Sequence, residues 1–197
     1  MPFSEDLSPE EVQQLVLLAQ QGDTNAYETL VRLYTPKLLS MTQSMLRNTQ
    51  DAQDVVQDAL IRAYRALDKF KAQSSFYTWI YRITYNLALN FIKAKKRKRQ
   101  VSMQALEENT GANTSEYQDS SIHSDPTKIL EINHLQKKLN DALSQLSEKH
   151  RAVVIMFDID DLSHKEIAEI LQISIGTVRS RLHYAHQQLQ TLLDDIN

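Results

Sequence analysis

Cysteine is absent from the 197 residues, which excludes disulfides and thiolate metal sites and makes a reducing compartment the natural setting. Glycine occurs only three times and proline four, and no glycine-rich phosphate loop or nucleophile motif is found. No run of about 18 apolar residues is present, and the N-terminal "MPFSEDLSPEE" is acidic and polar, so neither a membrane span nor a signal peptide is expected. The expectation is a soluble, cytoplasmic protein. One local absence is more specific: from Ser74 to Arg99 there is no acidic residue at all.

What fills that stretch, "SSFYTWIYRITYNLALNFIKAKKRKR", is six aromatic rings (Phe76, Tyr77, Trp79, Tyr81, Tyr85, Phe91) and seven cations (Arg82, Lys93, Lys95, Lys96, Arg97, Lys98, Arg99). The net charge of −3 hides this asymmetry: between Arg62 and Arg99 there are eleven Lys or Arg against one acid, Asp68. Such a surface attracts polyanions. A solvated helix face is the plainer alternative, but charges of one sign following a ring-rich segment favour nucleic acid.

Hydrophobic residues at 42% and charged residues at 24% allow a packed core. Apolar spacing of three and four over long stretches predicts an all-α chain. "SPEEVQQLVLLAQQG" opens on a Ser8 cap with Pro9 at the first helical position and stops near Gly22. The next helix sets Ala26, Leu30, Leu33, Leu38, Met41 and Met45 at core spacing, with Pro36 bending it. "DAQDVVQDALIRAYRAL" turns Val55, Val56, Ala59, Leu60, Ala63 and Leu67 to one face, and the ring-and-cation stretch is the fourth helix. Residues 8–99 form the expected first domain.

From Gln100 the chain becomes rich in Ser, Asn, Thr and acids, so 100–126 is expected to be a flexible linker, with Pro126 opening the next helix. Residues 127–195 form the expected second domain. Its first helix carries Ile129, Ile132, Leu135, Leu139, Ala142, Leu143 and Leu146, and a short apolar helix follows a Ser147 cap. In "LSHKEIAEILQISIGTVRSRLHYAHQQLQ", Ser163 and Glu166 form a capping box. Ile167, Ala168, Ile170 and Leu171 are its buried face, and Gln172-Ile173-Ser174 is a short turn. A second helix buries Val178, Leu182, Ala185 and Leu189. This is a helix-turn-helix layout. Thr177, Arg179, Ser180, Arg181, His183, Tyr184 and His186 point outward, residue types suited to guanine edges and phosphates. A plain helical hairpin with exposed arginines is the alternative.

Taken in order, "DAQDVVQDALIRAYRALDKF", "FYTWIYRITYNLALNFIK" and "LSHKEIAEILQISIGTVRSRL" resemble the extracytoplasmic-function sigma factors of bacterial RNA polymerase, with "AYRALDKF…SSFYTWIYRI" similar to the sigma-E branch. The resemblance covers nearly the whole chain. It implies a sigma-2 domain that recognises and melts the −10 promoter element and a sigma-4 domain that reads the −35 element. Both would dock on core RNA polymerase, on the clamp helices of the largest subunit and the flap of the next largest. It also implies a role in envelope or extracytoplasmic stress and restraint by an anti-sigma factor.

Within the resemblance, Ala66, Phe70 and Asn86 match positions that form a pocket for a flipped base, Asn86 being the expected reader because its amide both donates and accepts. Phe76, Tyr77 and Tyr81 are expected strand contacts, since rings replace lost base stacking at about 1–3 kcal/mol per base. Lys93, Lys95, Lys96 and Arg97, with Lys98 and Arg99, are expected on phosphates. Thr177, Arg179, Ser180, Arg181, His183 and Tyr184 are expected on the −35 duplex. Asp54, Gln57, Asp58 and Arg62 are expected on the polymerase. Relatives often carry arginines where this chain has Tyr184 and His186, which alters the expected −35 preference. The two elements lie about 85 Å apart at about 3.4 Å per base pair; a linker of roughly 26 residues stretches to about 90 Å at most. Its acids, Glu107, Glu108, Glu116 and Asp119, would keep it off DNA.

Other functions fit less of the chain. His183 and His186 have a metal-compatible spacing but no evident third ligand, and Asp158, Asp160 and Asp161 read as an exposed loop cluster. No cofactor and no catalytic activity are expected. A stand-alone helix-turn-helix regulator accounts for the C-terminal motif alone, and a helical RNA-binding protein would prefer RNA over non-template DNA.

Overall fold

The first element of the computed structural model, which describes residues 7–106, 138–139 and 141–194, is α1 (Pro9–Gln20). The Ser8 hydroxyl accepts from the Glu11 N–H, and the Glu11 carboxylate accepts from the Ser8 N–H, a full capping box. Gly22 then takes φ +98, a left-handed turn with open space around it; any side chain there would be strained by the backbone alone. Asp23 caps α2 (Thr24–Leu46). The helix runs on through Pro36, whose position mid-helix removes one backbone donor without ending it. Asn48 caps α3 (Thr49–Arg65), and a 3₁₀ turn, Leu67–Lys69, follows.

The chain divides into two compact units, the first built on the helices up to Gln104 and the second on those of the C-terminal part. In the first, α2 packs against both α1 and α3. Leu30, Leu38, Met41, Val56, Ala52, Ala59 and Ala63 are buried between them, and the alanines let the helix axes come close. Buried Thr42 and Thr84 satisfy their hydroxyls on the carbonyls one turn back, Leu38 and Ile80. Tyr27 donates to the Leu60 carbonyl at 2.7 Å, and burial pushes its hydroxyl pKa up to about 12. The fourth helix, α4, spans Phe76–Leu106. It therefore overruns the expected linker start at Gln100, because "QVSMQAL" contains no Gly or Pro and mostly good helix formers. The rest of that linker (107–126), its acids, Pro126, and the stripe residues Ile129, Ile132 and Leu135 lie outside the described residues.

In the second unit, residues 141–145 are helical and α5 (Glu148–Val154) starts at the expected Ser147 cap. The Arg151 guanidinium donates to the carbonyls of Leu143, Ser144 and Leu146 at 2.7, 2.7 and 3.1 Å, closing the end of the preceding helical segment. A π turn, Ile155–Ile159, leads to α6 (His164–Leu171) and α7 (Ile175–Asp194). Ala142, Leu143 and Leu146 are buried as expected; Leu139 is exposed and stands outside that core. No strand occurs among the described residues.

Candidate nucleic-acid interface

Both helices expected to meet DNA begin the same way. Ser75 accepts from the Thr78 N–H at 3.0 Å at the start of α4, and Ser174 accepts from the Thr177 N–H at 3.1 Å at the start of α7. In each, the serine and threonine hydroxyls also share a hydrogen bond of 2.8 Å. The Ser-x-x-Thr pattern at both places is a cap signal carried by the sequence.

Along α4 the rings pack on one another. Tyr77 stacks on Tyr34 of α2 at 5.2 Å and meets Tyr81 edge-on at 5.7 Å, with the Lys37 ammonium 5.5 Å from its centroid. Phe70 lies 4.9 Å from Trp79 and 5.9 Å from Phe76. Phe76 is 3% exposed and Tyr81 0%. This corrects the expectation that both touch a released strand, since a ring without exposed surface cannot stack on a base. Tyr77, which was also expected on the strand, is half-buried.

Ala66 and Phe70 flank the 3₁₀ turn and are half-buried, while Asn86 is exposed. Seven residues separate Trp79, which touches Phe70, from Asn86. They therefore share one face of α4, about 10 Å apart along the axis. Lys93, Lys95, Lys96 and Arg97 are exposed. Lys95 is already engaged, however: its ammonium contacts Asp51 of α3 at 2.7 Å. Sequence spacing gave no hint of that pair, because 44 positions separate the partners. On α3, Asp54, Gln57 and Arg62 are exposed and Asp58 half-buried. Arg62 and Asp58 pair with each other at 2.9 Å, one helical turn apart.

The second unit keeps to its expected pattern more closely. The capping box of Ser163 and Glu166 is present. Gln172 adopts φ 54, ψ 47 after α6, and the Ile173 N–H returns to the Ala168 carbonyl at 3.1 Å, so the helix ends in a left-handed turn. Ile167, Ala168 and Ile170 are buried, while Leu171 is only half-buried. Val178, Leu182, Ala185 and Leu189 form the buried stripe of α7. The other faces of α7 present Arg179, Ser180, His183 and Tyr184 to solvent, with Thr177 and Arg181 half-buried. Tyr184 is 58% exposed, its ring edge-on to His183 at 5.7 Å. His186 is bonded to Asp158 at 2.8 Å, and no cluster of three metal-ligating side chains occurs among the described residues.

The Sigma-70 region 2 family model matches residues 30–98, and the Sigma-70 region 4 model matches residues 136–189. The RNA polymerase sigma-H factor of Pseudomonas aeruginosa is 34% identical over 96% of this chain and 97% of its own length. The chain belongs to the extracytoplasmic-function sigma factors. The SigW factor of Bacillus subtilis is 34% identical over 90% of this chain and 94% of its own. The sigma-E factor of Escherichia coli K12 is 35% identical over 90% and 91%. Among solved structures, CnrH in complex with the cytosolic domain of CnrY superposes with a TM-score of 0.68 at 24% identity, covering 95% of this chain and 99% of that one. It carries the same fold. As a sigma factor the protein is a non-enzymatic DNA-recognition subunit of RNA polymerase that directs transcription initiation. No helix among the described residues is long and apolar enough to cross a membrane.

Proposed function

We propose that the first unit captures the −10 element as single strand and that the second reads the −35 element as duplex. The observation that carries this reading is the outward set on α7. Arg179, Ser180, His183 and Tyr184 stay in solvent behind a closed apolar stripe, which is the requirement for a helix that lies in a major groove. On α4, exposed Asn86 and the exposed cations Lys93, Lys96 and Arg97 supply a base-edge reader and a phosphate track. Phe70, the half-exposed ring beside Trp79, is the surface against which a flipped base would rest, with Ala66 at the other end of the turn.

Core RNA polymerase is the partner for the polar row on α3, where exposed Gln57 presents its amide, Asp54 accepts from the Gln50 amide at 3.3 Å and Asp58 pairs with Arg62. Among the solved neighbours, CnrH is in complex with the cytosolic domain of CnrY, and the sigma factor RpoE of Bartonella quintana is in complex with the anti-sigma factor NepR. An anti-sigma factor is accordingly the proposed restraint on this chain, in the cytoplasm where polymerase works, with envelope or extracytoplasmic stress as the releasing condition. Transcription in vitro with sigma-free core polymerase on a promoter library tests the whole reading. Initiation from templates sharing two spaced elements is expected. Tight, sequence-specific duplex binding by the free chain, unchanged by core polymerase and without initiation, would instead establish a stand-alone regulator.

A further inference from the structure

Gln20, the last residue of α1, lies outside the residues matched by either sigma family model. Its side-chain nitrogen donates to two backbone carbonyls at once, those of Leu67 and Phe70, each at 2.9 Å and about fifty positions away in the chain. An amide nitrogen has two hydrogens about 120° apart, and both are used. The two carbonyls bracket the 3₁₀ turn Leu67–Lys69. The Leu67 carbonyl also accepts from the Phe70 N–H at 3.1 Å, so the turn is closed from inside and clamped from outside. Beyond it the chain has left regular structure: Ala72 takes φ 52, in the left-handed region that alanine disfavours. The ring that the clamp steadies is Phe70, 4.9 Å from Trp79.

We propose that Gln20 is a positioning residue for base selection at the −10 element: its double hydrogen bond fixes the backbone that carries Ala66 and Phe70. The inference rests on the −10 reading above. Without the amide, the Phe70 carbonyl loses its partner, the Leu67 carbonyl keeps only the Phe70 N–H, and the Phe70 ring is no longer held in one place against Trp79. Base discrimination then falls, because a pocket wall that wanders accepts several bases nearly equally.

The test uses the full chain, alone and with core polymerase. Gln20→Met keeps the length and removes both donors; Gln20→Glu sets a carboxylate against two carbonyls; Gln20→Lys restores donors. Trp79, the only tryptophan of the chain, reports the position of Phe70 through its emission. Single-stranded DNA hexamers, selected from a randomised pool and then varied one position at a time, report discrimination. The Met and Glu variants are expected to shift Trp79 emission and to lower the best-to-worst base ratio at one position by roughly tenfold. The Lys variant should recover part of both, and −35 duplex binding should not change. Wild-type emission and wild-type ratios in both variants would overturn the assignment to Gln20 alone. Shifted emission in a chain whose wild type shows no base preference at any hexamer position would overturn the −10 reading, and the role of the loop with it. Should the Met and Glu variants fail to fold, the Lys variant decides: a retained ratio supports the clamp, and a folded Lys variant with a lost ratio overturns it.

Discussion

Of the six rings on α4, Phe76, Tyr81 and Tyr85 are buried and Tyr77, Trp79 and Phe91 half-buried, whereas α7 turns its single aromatic, Tyr184, 58% into solvent. The difference lies in how each helix is enclosed. Ring contacts reach α4 from Tyr34 on α2 and from Phe70 beyond the 3₁₀ turn, and Lys95 reaches α3. More than one of its faces is therefore occupied. By contrast, α7 is buried along one stripe only; outside it His186 and Gln188 bond to Asp158 and His150, and Arg179, Ser180, His183 and Tyr184 remain in solvent. Aromatic enrichment marks a site on a helix packed from one side; on a helix packed from several sides it marks core.

The sharpest way to break this comparison is to remove one ring from each helix. Tyr81→Ala deletes a fully buried side chain and is expected to cost about 3–5 kcal/mol in urea denaturation. Tyr184→Ala should stay within about 0.5 kcal/mol of wild type in stability while lowering affinity for the −35 duplex. A stable Tyr81→Ala protein with lost single-strand binding would restore that ring to the DNA face.

A second experiment asks whether the units stand alone energetically. Arg151 gives three hydrogen bonds to carbonyls at the end of a helical segment, of which the Leu143 carbonyl also accepts from the Leu146 N–H. Arg151→Ala should cost about 2–3 kcal/mol, the value for charged donors on part-buried acceptors. Hydrogen exchange should show the loss in α5 and α7 and leave α1–α3 protected as before. Equal loss of protection in α1–α3 would mean that the two units unfold together.

Much of this architecture was legible because it is set by periodicity and local caps. Ser8, Ser147 and Ser163 open their helices as the sequence indicated, and the stripe Val178, Leu182, Ala185, Leu189 is buried as its spacing required. The exposed residues of α7 follow by subtraction. What stayed hidden depends on pairs far apart in the chain: Gln20 with Leu67 and Phe70, and Asp51 with Lys95. No local pattern encodes such contacts. For the same reason Phe76 and Tyr81 were misplaced, because their burial is decided by Tyr34 and by neighbours that a helical wheel does not contain.

The third comparison sets one reader from each unit against the other. Asn86→Ala should reduce discrimination at a single −10 base, and Arg179→Ala at a single −35 base pair, each by about 1–3 kcal/mol. Competition binding against promoter variants separates this from a uniform loss, which would make either residue a backbone contact.

The smallest effect concerns charge already spent inside the protein. Lys95 and Asp51 meet at 2.7 Å, with half of the lysine side chain still in water (50% exposed). A phosphate must therefore displace a carboxylate to gain that cation, whereas Lys93 and Arg97 form no ion pair among the described residues. Each phosphate neutralised on single-stranded DNA contributes about 0.7 to the slope of log affinity against log salt. If the pair persists in the complex, Lys95→Gln leaves the slope unaltered. Asp51→Asn then steepens it by about 0.7, because a released lysine joins the phosphate track. Salt titrations of the two variants on one oligonucleotide distinguish the cases. A slope that flattens by about 0.7 in Lys95→Gln, with no change in Asp51→Asn, would show that DNA already wins Lys95 from Asp51. The pair would then belong to the free protein only, and the exposed cations of α4 would act as one continuous track.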